Sequence, residues 1–367
     1  MGFKCGIVGL PNVGKSTLFN ALTSTAAAEA ANFPFCTIEP NVGKVAVPDT
    51  RLNILADIAK SAKVIPNQLE FVDIAGLVKG ASKGEGLGNQ FLATIREVDV
   101  IVYVLRCFEN NDITHVEGSV DPIRDAEIIE TELILADMES LEKRVNGLQK
   151  RVRSQDKEAK AQLEILERTL PVLAEGRPAR FVEIKDDDEA RAFRLLQLLT
   201  SKKVMYVCNM SEDEVVDGND YSALVEKMAD EKKAGVTRIS AQIEEEIANL
   251  DDEEEKKEFL EGIGLNETGL SQIIREGYSL LDQITFFTVG PKEARAWNVG
   301  RGSKAPQAAG VIHTDFERGF IKAETVAYDD YVACAGEAGA KESGKMRQEG
   351  KDYTVIDGDI FHFRFNV

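Results

Sequence analysis

The feature that most constrains this chain is a short loop near its N-terminus, where residues 9–16 read Gly-Leu-Pro-Asn-Val-Gly-Lys-Ser. The spacing is that of the G-x-x-x-x-G-K-[ST] phosphate-binding loop. Its two glycines let the backbone curl so that consecutive N–H groups point at phosphate oxygens. In such a loop the lysine reaches the β- and γ-phosphates, and the serine hydroxyl is a ligand of Mg²⁺. The predicted nucleotide-binding residues here are Asn12, Val13, Gly14, Lys15, Ser16 and Thr17, and Lys15 is also a predicted catalytic residue.

The residues on either side of the loop support this interpretation. Residues 3–8 form an apolar run short enough for a buried strand, and residues 17–22 have the apolar spacing of a helix. A phosphate-binding loop requires the order strand, loop and helix. A chance glycine-rich turn is the alternative, but it would not account for both flanks.

The composition bounds the class of protein. A chain of 367 residues is long enough for two or three domains, and no apolar run reaches the length of a membrane span. The five cysteines are scattered without a C-x-x-C pair, which favours reduced thiols in a cytoplasmic protein and argues against a zinc site. The N-terminus leads directly into the first predicted strand, so we expect no signal peptide. A formal net charge of −19 argues against a general affinity for nucleic acid.

Two further segments match the nucleotide-sensing loops of phosphate-loop NTPases. Residues 30–40 contain two prolines and few helix signals, which predicts a first switch loop whose Thr37 completes the Mg²⁺ shell. A threonine that caps a turn is the alternative for this position. Residues 68–73 have the character of a strand, which ends in the D-x-x-G arrangement from Asp73 to Gly76. Asp73 would hold Mg²⁺ through a water molecule, and the Gly76 N–H would sense the γ-phosphate.

The second switch lacks the usual side chain for hydrolysis. Five glycines crowd residues 76–88, which predicts a mobile loop. Leu77 occupies the position where many GTPases have a glutamine that orients the attacking water, and a leucine cannot hydrogen-bond water. His115 is the candidate for that role, because it follows the predicted strand 99–105 at the edge of the sheet where ligands gather. A solvent-exposed loop histidine is the alternative.

From Ile128 the apolar pattern changes to that of long helices. Apolar residues recur at alternating intervals of four and three from 134 to 152, and again from 163 to 173, with charged residues between them. A short polar turn at 154–156 separates the two stretches, which predicts an antiparallel helical hairpin. We therefore expect a helical insertion over residues 124–202, within a nucleotide-binding domain that spans residues 1–281. Such a hairpin is most often structural, although its tip or flank can also contact a partner.

The predicted strand 203–208 leads into a candidate base-reading loop. It begins with Asn209-Met210-Ser211-Glu212, where a GTPase would have N-K-x-D. The aspartate of N-K-x-D accepts hydrogen bonds from two donors on guanine. Here Met210 replaces the lysine, and Glu212 carries its acid on a longer stem, which disfavours guanine recognition. Met210 offers an apolar surface to a purine ring, and Ser240, after the predicted strand 235–239, completes the predicted base site.

The end of the chain has the pattern of a separate β-rich domain. From residue 282 to 367, short β segments alternate with glycine-rich turns. Basic residues surround the sole tryptophan, Trp297, in the segment 292–304. Such a cluster could bind a phosphate backbone and stack a base. A partly buried tryptophan beside an ordinary surface turn is the alternative.

Together these motifs resemble those of one family. The chain resembles the YchF family of Obg-related, or Obg-like, phosphate-loop NTPases. The resemblance rests on the phosphate-binding loop, residues 32–40, the glycine-rich loop 76–88 and residues 209–212. The likeness covers nearly the whole chain, including the helical insertion. The tail resembles a TGS domain, a ubiquitin-like β-grasp module, and its most specific motifs are residues 292–297, 305–310 and 313–319.

The resemblance implies an α/β fold with a mostly parallel sheet, an inserted helical hairpin and a C-terminal TGS domain. It implies a slow, Mg²⁺-dependent ATPase that prefers ATP to GTP because of the altered motif at 209–212. It also implies that a hydrophobic residue, here Leu77, replaces the catalytic glutamine, with His115 at the position of a proposed catalytic histidine. The partners it implies are the ribosome, with the large subunit expected, and RNA through the TGS domain. The protein would be a cytoplasmic monomer linked to translation and stress responses.

Two other functions stay open at this point. One is a GTPase of the same fold, which a comparison of ATP and GTP affinity would separate. The other is a nucleotide-gated scaffold with incidental hydrolysis, which ribosome pelleting with different nucleotides would separate. A metabolic kinase is disfavoured because the chain has no evident acceptor site or lid.

Overall fold

The computed structural model describes residues 3–30, 42–74, 87–110, 112–113, 115–250 and 252–366. Within these residues the strands form two six-stranded sheets, and every helix is too short or too polar to traverse a bilayer. The strands are β1 (Lys4–Val8), β2 (Val42–Ala46), β3 (Val64–Ile65), β4 (Gln68–Asp73), β5 (Val100–Arg106), β6 (Lys203–Asn209), β7 (Gly235–Ile239), β8 (Gln283–Val289), β9 (Ala294–Gly300), β10 (Phe320–Val326), β11 (Arg347–Glu349) and β12 (Ile360–Phe365). The helices are α1 (Lys15–Ala30), α2 (Thr50–Ala59), α3 (Leu87–Glu97), α4 (Pro122–Arg153), α5 (Lys157–Ala174), α6 (Asp187–Leu196), α7 (Asp220–Lys232), α8 (Ala241–Ala248), α9 (Glu253–Gly262), α10 (Gly269–Leu280), α11 (Ala305–Ile312), α12 (Thr314–Arg318), α13 (Tyr328–Ala333) and α14 (Glu337–Glu342).

The first sheet has the strand order β2-β4-β1-β5-β6-β7. Strands β4, β1, β5, β6 and β7 run parallel, whereas β2 pairs with β4 in antiparallel register, with Lys44 opposite Glu70. β5 is buried along its whole length and β6 along nearly all of it, as expected for parallel strands that are covered on both faces. The mostly parallel α/β sheet predicted from the sequence is confirmed.

The candidate site residues lie at one edge of this sheet. β1 is central, and the chain leaves β4 on one side of β1 and returns as β5 on the other. The carboxyl ends of the parallel strands meet at such a switch point, which is where ligands bind in open α/β sheets. The residues that end these strands, or directly follow them, are Gly9, Asp73, Arg106, Asn209 and Ser240.

Helices α4 and α5 form the helical hairpin, with residues 154–156 as its turn. α4 has 32 residues and therefore extends about 48 Å. Its first turns pack in the core of the first sheet through Ala126, Ile129 and Leu133. Its later turns pack with α5 and α6 in a core of their own. The insertion predicted from residue 124 thus begins as a helix of the sheet's core.

A buried carboxylate fixes the base of the hairpin. Asp137 on α4 accepts hydrogen bonds from the N–H groups of Leu199 and Thr200, at 2.9 and 2.8 Å, and from the Thr200 hydroxyl at 2.7 Å. Burial raises the pKa of the Asp137 carboxyl, and these hydrogen bonds oppose the rise. The chain segment that returns from the hairpin is therefore attached to the helix that enters it.

The second sheet has the strand order β11-β10-β12-β8-β9-β3. Its structure corrects the prediction that Trp297 stacks a base. Trp297 lies in β9, which was not predicted as a strand, and its side chain belongs to the core of this sheet. The indole N–H donates to Thr288 Oγ1 at 2.9 Å, and the Arg295 guanidinium lies over the ring, 4.0 Å from its centroid. A ring covered in this way cannot stack a nucleic-acid base. The alternative, a partly buried tryptophan beside a surface turn, is correct about the burial, but Trp297 lies within a strand.

The second sheet also takes residues from the N-terminal half of the chain. β3 pairs in parallel with β9, with Val64 opposite Ala294. Leu52 and Leu55 of α2 pack in the same core as Phe287 of β8. Residues 50–65, which lie within the predicted domain 1–281, therefore complete the core of the C-terminal sheet.

Glu244 of α8 has a buried carboxylate that contacts the N-terminal end of α10. Its Oε1 accepts a hydrogen bond from the Gly269 N–H, at the start of α10, at 2.7 Å. Burial raises the pKa of Glu244 from its ordinary value of 4.5 to about 6, and the N–H groups of Gly269 and Leu270 oppose the rise. The folded chain thus holds this proton more tightly than the unfolded chain does. That advantage is lost as the pH rises through about 6.

We expect Glu244→Gln to remove this pH dependence while it keeps an oxygen acceptor for Gly269. The free energy of unfolding of the wild type, relative to that of the variant, should fall by about 1 kcal/mol between about pH 5 and about pH 7.5. Urea denaturation across this range measures the difference. Glu245→Gln, on the exposed face of the same helix, is the control. The assignment is wrong if all three proteins have the same pH dependence.

Candidate phosphate-binding site

The phosphate-binding loop joins β1 to α1 in a conformation that its residue types permit. Gly14 has a φ of +87°, in the left-handed region that favours glycine, and Asn12 has a φ of +64°, which asparagine tolerates. A Cβ on Gly9 would lie 2.9 Å from the carbonyl oxygen of Val104, so the loop passes close to β5. α1 begins at Lys15, and the first N–H groups of a helix have no acceptor within it. They are therefore suited to bind an anion.

Lys15 and Asp73 meet at the mouth of this loop. The Lys15 ammonium forms an ion pair with the Asp73 carboxylate at the end of β4, and both side chains are largely buried. Ser16 is exposed in the first turn of α1, and Thr17 is partly buried. The structure thus brings together a cation, a carboxylate and a hydroxyl that the sequence assigned to phosphate and Mg²⁺. Because Lys15 and Asp73 pair with each other, neither is left as an uncompensated charge in a largely desolvated site.

The Asn209 side chain connects this loop to the candidate base site. Its Nδ2 donates to the carbonyl oxygen of Val13 at 2.9 Å, and its Oδ1 accepts from the Ala241 N–H at 3.0 Å. A Cβ on Gly14 would lie 2.2 Å from Asn209 Nδ2, so this contact requires glycine at position 14. Asn209 thus shapes the site through one N–H and the oxygen of its amide, and a direct contact between Asn209 and a nucleotide stays a prediction.

The other candidate base-site residues differ in exposure. Met210 is 2 % exposed, and its N–H donates to the Ile239 carbonyl oxygen at 2.9 Å. Glu212 is exposed, so its carboxylate is not held in a defined position by burial. Ser240 is also 2 % exposed, and its Oγ has no hydrogen-bond partner among the described residues. A buried hydroxyl without a partner is costly, and a polar group of a bound nucleotide would satisfy it.

Sequence reasoning missed two residues that hold the loop after β6. Asn219 Nδ2 donates to the Cys107 carbonyl oxygen at 2.8 Å and to Glu214 Oε2 at 3.0 Å. The Ser211 hydroxyl donates to the same Glu214 oxygen at 2.7 Å. Glu214, rather than Glu212, is therefore the carboxylate anchored in this loop. Asn219 is also the N-cap of α7, and its capping pattern is the signal that could have identified it.

His115 has partners that neither sequence interpretation anticipated. Its side chain is 4 % exposed, and Nε2 lies 2.8 Å from Asp125 Oδ2 in the first turn of α4. Nδ1 accepts a hydrogen bond from the Glu117 N–H at 3.1 Å. Since Nδ1 is the acceptor, we assign the ring proton to Nε2, which donates it to Asp125. A catalytic role for His115 stays a prediction, and it would require the ring to leave Asp125.

Arg106, at the end of β5, is another residue that the sequence analysis missed. Its side chain is fully buried, and its guanidinium donates to backbone carbonyl oxygens of the loop that leads to His115. A fully buried arginine is rare, so an arginine that ends an apolar strand is a signal for such a role.

Three predicted site residues, Thr37, Gly76 and Leu77, lie outside the described residues. Among the predicted metal ligands, the structure therefore describes Ser16, with Asp73 at the same strand edge. Hard oxygen donors suit Mg²⁺, which takes its remaining ligands from phosphates and water. In the described ranges, no group of three or more His, Cys, Asp or Glu side chains could hold a metal ion. These residues fit a Mg²⁺ ion that arrives with a nucleotide.

Comparisons with known proteins identify relatives of the whole chain. A family model described as "50S ribosome-binding GTPase" matches residues 4–137, and the YchF-GTPase_C model, described as "Protein of unknown function (DUF933)", matches residues 283–366. The chain is 57% identical to "Ribosome-binding ATPase YchF" of Pasteurella multocida and 55% identical to the protein of that name from Bacillus subtilis. Both matches cover 100% of each chain. The solved structure of the Schizosaccharomyces pombe YchF GTPase is 42% identical, with a TM-score of 0.86 over 99% of this chain and 98% of that one.

We expect Asn209→Ala to destabilise the protein, because it removes two buried hydrogen bonds and leaves the Ala241 N–H and the Val13 carbonyl without their partner. The loss should be about 2–3 kcal/mol. Asn249→Ala is a matched control, because Asn249 Nδ2 makes a single exposed hydrogen bond to the Glu245 carbonyl oxygen, at 2.9 Å. Its effect should stay within about 0.5 kcal/mol. Equal losses for the two variants in urea denaturation would refute the role of Asn209.

Proposed function

Because this chain belongs to the YchF family, as its motifs indicated, we propose that it is a Mg²⁺-dependent ATPase that hydrolyses ATP to ADP and phosphate. We further propose that it is a nucleotide-controlled switch that binds the ribosome, as the names of its bacterial relatives suggest. The observation that carries the proposal is the assembled phosphate-binding loop, which Asn209 holds in shape and at whose mouth Lys15 and Asp73 meet.

The phosphate-binding part of the proposal assigns a role to each group at the loop. The backbone N–H groups of residues 12–17 bind phosphate oxygens, helped by the positive end of α1. Lys15 exchanges its contact with Asp73 for the β- and γ-phosphates. The ion pair in the structure supports this role, because it already holds the ammonium at the mouth of the loop. Asp73 is then free to act in the Mg²⁺ shell.

Ser16 and Thr37 are the proposed ligands of Mg²⁺, and Asp73 is the proposed outer ligand through water. When bound, the ion supplies positive charge that stabilises the negative charge on the phosphate oxygens during transfer. Gly76 and Leu77 belong to the proposed second switch, where the Gly76 N–H senses the γ-phosphate. The described oxygen donors at this edge are of the type that Mg²⁺ prefers.

The proposed base site favours adenine. Met210 is the proposed apolar neighbour of the purine, although its side chain is buried in the core, so the base would contact it only after a local movement of the loop that follows β6. Ser240 provides a buried hydroxyl that has no other partner among the described residues. Glu212 is exposed and therefore poorly fixed, whereas guanine needs a carboxylate held opposite its two donors. Guanine thus leaves a donor without a partner in this site, whereas adenine has no N1–H donor and does not need a carboxylate held there.

His115 is the proposed catalytic group. Leu77 cannot orient the attacking water, and the neutral ring has one donor and one acceptor nitrogen, as a water-orienting group requires. In the proposal the ring exchanges Asp125 for the attacking water when ATP is bound. The neutral Nε2–H tautomer supports this role, because Nε2–H can donate to the oxygen of the attacking water once it leaves Asp125, while Nδ1 keeps its hydrogen bond from the Glu117 N–H.

The proposed partner is the ribosome, with its large subunit as the binding side, for a monomer in the cytoplasm that acts in translation. An RNA contact through the C-terminal sheet would have to use its exposed basic side chains, such as Lys292 and Arg301, because the Trp297 ring is covered. The acidic charge of the chain as a whole gives such a contact no general support.

A GTPase of the same fold is the alternative that one observation favours. The structural relative from Schizosaccharomyces pombe is described as a GTPase, and one matching family model is described in the same way. A nucleotide-gated scaffold with incidental hydrolysis is the other alternative, because the hydrolytic glutamine is replaced by Leu77.

We predict that ATP binds more tightly than GTP. A guanine donor without a partner should cost about 1–3 kcal/mol, which corresponds to an affinity ratio of about 5- to 150-fold. Titration of labelled ATP and GTP at the same Mg²⁺ concentration measures this ratio. The double variant Met210→Lys/Glu212→Asp restores the N-K-x-D pattern and should shift the ratio toward GTP. Equal affinities, or tighter GTP binding, in the wild type would support the GTPase instead.

We predict that Lys15→Ala abolishes hydrolysis and makes ribosome binding independent of nucleotide. Loss of a charged contact to phosphate should weaken ATP binding by at least about 2 kcal/mol. Co-sedimentation with ribosomes in ATP, in ADP and without nucleotide tests both parts. Lys4→Ala is the control, since Lys4 is half-exposed in an ion pair with Glu70, at 3.2 Å, away from the loop. If the wild type co-sediments with ribosomes equally in ATP, in ADP and without nucleotide, the proposed switch is wrong. If Lys15→Ala keeps its ATP turnover, the proposed phosphate-binding site is wrong.

A further inference from the structure

Arg106 is a buried charge at the same strand edge as the phosphate-binding loop. It is the last residue of β5, in register with Asn209 on β6, and its side chain is 1 % exposed. Among the described residues, no carboxylate forms an ion pair with it. A guanidinium removed from water is costly unless other groups compensate it, so the surroundings of Arg106 must supply that compensation.

Backbone carbonyl groups supply it. Arg106 Nε donates to the Phe108 oxygen at 3.1 Å, Nη1 to the Ile113 oxygen at 2.9 Å and Nη2 to the Asn110 oxygen at 3.0 Å. The guanidinium also lies over the Phe108 ring, 4.8 Å from its centroid. One planar group thus ties the first half of the loop 107–121, which joins β5 to α4 and contains His115, to the end of a buried strand.

The second half of this loop is held by a different element. His115 Nε2 donates to Asp125 Oδ2, and the Gly118 N–H donates to the His115 carbonyl oxygen at 3.0 Å. Asp125 belongs to α4 and not to the sheet. The loop therefore has one half anchored to β5 through Arg106 and another half attached to α4 through His115.

We propose that Arg106 is a positioning residue for ATP hydrolysis. It keeps the first half of the loop on the sheet, so that His115 reaches one defined position when its ring leaves Asp125. This inference rests on the proposed function. β5 pairs directly with β1, whose end continues into the phosphate-binding loop, so a loop anchored to β5 stays beside that loop. Without the anchor, the histidine would spread over many positions and seldom occupy the productive one.

Only arginine has the geometry for this anchor. Its planar fork directs several N–H groups along fixed directions, whereas the lysine ammonium is a compact charge that cannot reach three separated carbonyl oxygens. Arg106→Lys therefore keeps the charge and loses the anchor. It is more informative than Arg106→Ala, which also removes most of a buried side chain.

The first experiment compares Arg106→Lys with the wild type by amide hydrogen exchange and by single-turnover ATP hydrolysis. We expect faster exchange in residues 107–115, unchanged ATP affinity and hydrolysis slower by about 100-fold, the cost of a misplacement of about 1 Å. Arg144→Lys is the matched control, because Arg144 Nη1 donates to the Leu196 carbonyl oxygen, at 2.8 Å, on the helical hairpin. It should leave hydrolysis unchanged.

The second experiment adds His115→Ala to Arg106→Lys. If Arg106 acts through His115, the double variant should hydrolyse ATP as slowly as His115→Ala alone. The proposal would be overturned if the double variant lost the product of the two single rate reductions, or if Arg106→Lys kept the turnover of the wild type. Unchanged exchange in the loop would overturn it even if the wild type had no ATPase activity. Absence of hydrolysis in the wild type would instead overturn the proposed function, so the two failures are distinguishable.

Discussion

The amide of Asn209 is the interaction on which the arrangement of this site depends. It lies buried at the end of β6, between the Val13 carbonyl of the phosphate-binding loop and the Ala241 N–H at the start of α8. In a water-poor environment such hydrogen bonds are strong, and a partner left alone is costly. The amide therefore holds β1, β6 and α8 in one relation, and Gly14 is required because a side chain there would occupy the place of the amide.

The parts of the chain share secondary-structure elements instead of being joined by simple linkers. α4 packs in the core of the first sheet and then in the core of the hairpin. On the same helix, Glu130 forms ion pairs with Arg180 and, at 2.7 Å, with Lys232 of α7. α2 and β3 complete the C-terminal sheet, and Arg51 of α2 forms an ion pair with Asp357 at 2.6 Å. Residues 50–65, which lie between the two predicted switches, are thus packed against the C-terminal sheet.

Burial of polar groups explains the two contacts that hold the described residues of the loop after β5. Arg106 and His115 are both removed from water, and each needs partners that the loop and α4 supply. The loop backbone satisfies the guanidinium, and Asp125 satisfies the imidazole N–H. These two contacts restrict the positions of Asn110, Ile113 and His115, which is the condition for moving the His115 side chain to a defined place.

Local patterns in the sequence determined the phosphate-binding loop, the parallel sheet, the hairpin and the family. A glycine at position 14 or an apolar repeat from 134 to 152 restricts backbone geometry within a few residues, so it can be read without tertiary contacts. The tertiary structure alone decided that Trp297 is covered, that His115 pairs with Asp125 and that Arg106 anchors a loop. The physical reason is that a buried polar side chain takes its partners from whatever packing brings near it. Asn209 and Val13 are 196 positions apart in the chain, and only the pairing of β1, β5 and β6 makes them neighbours.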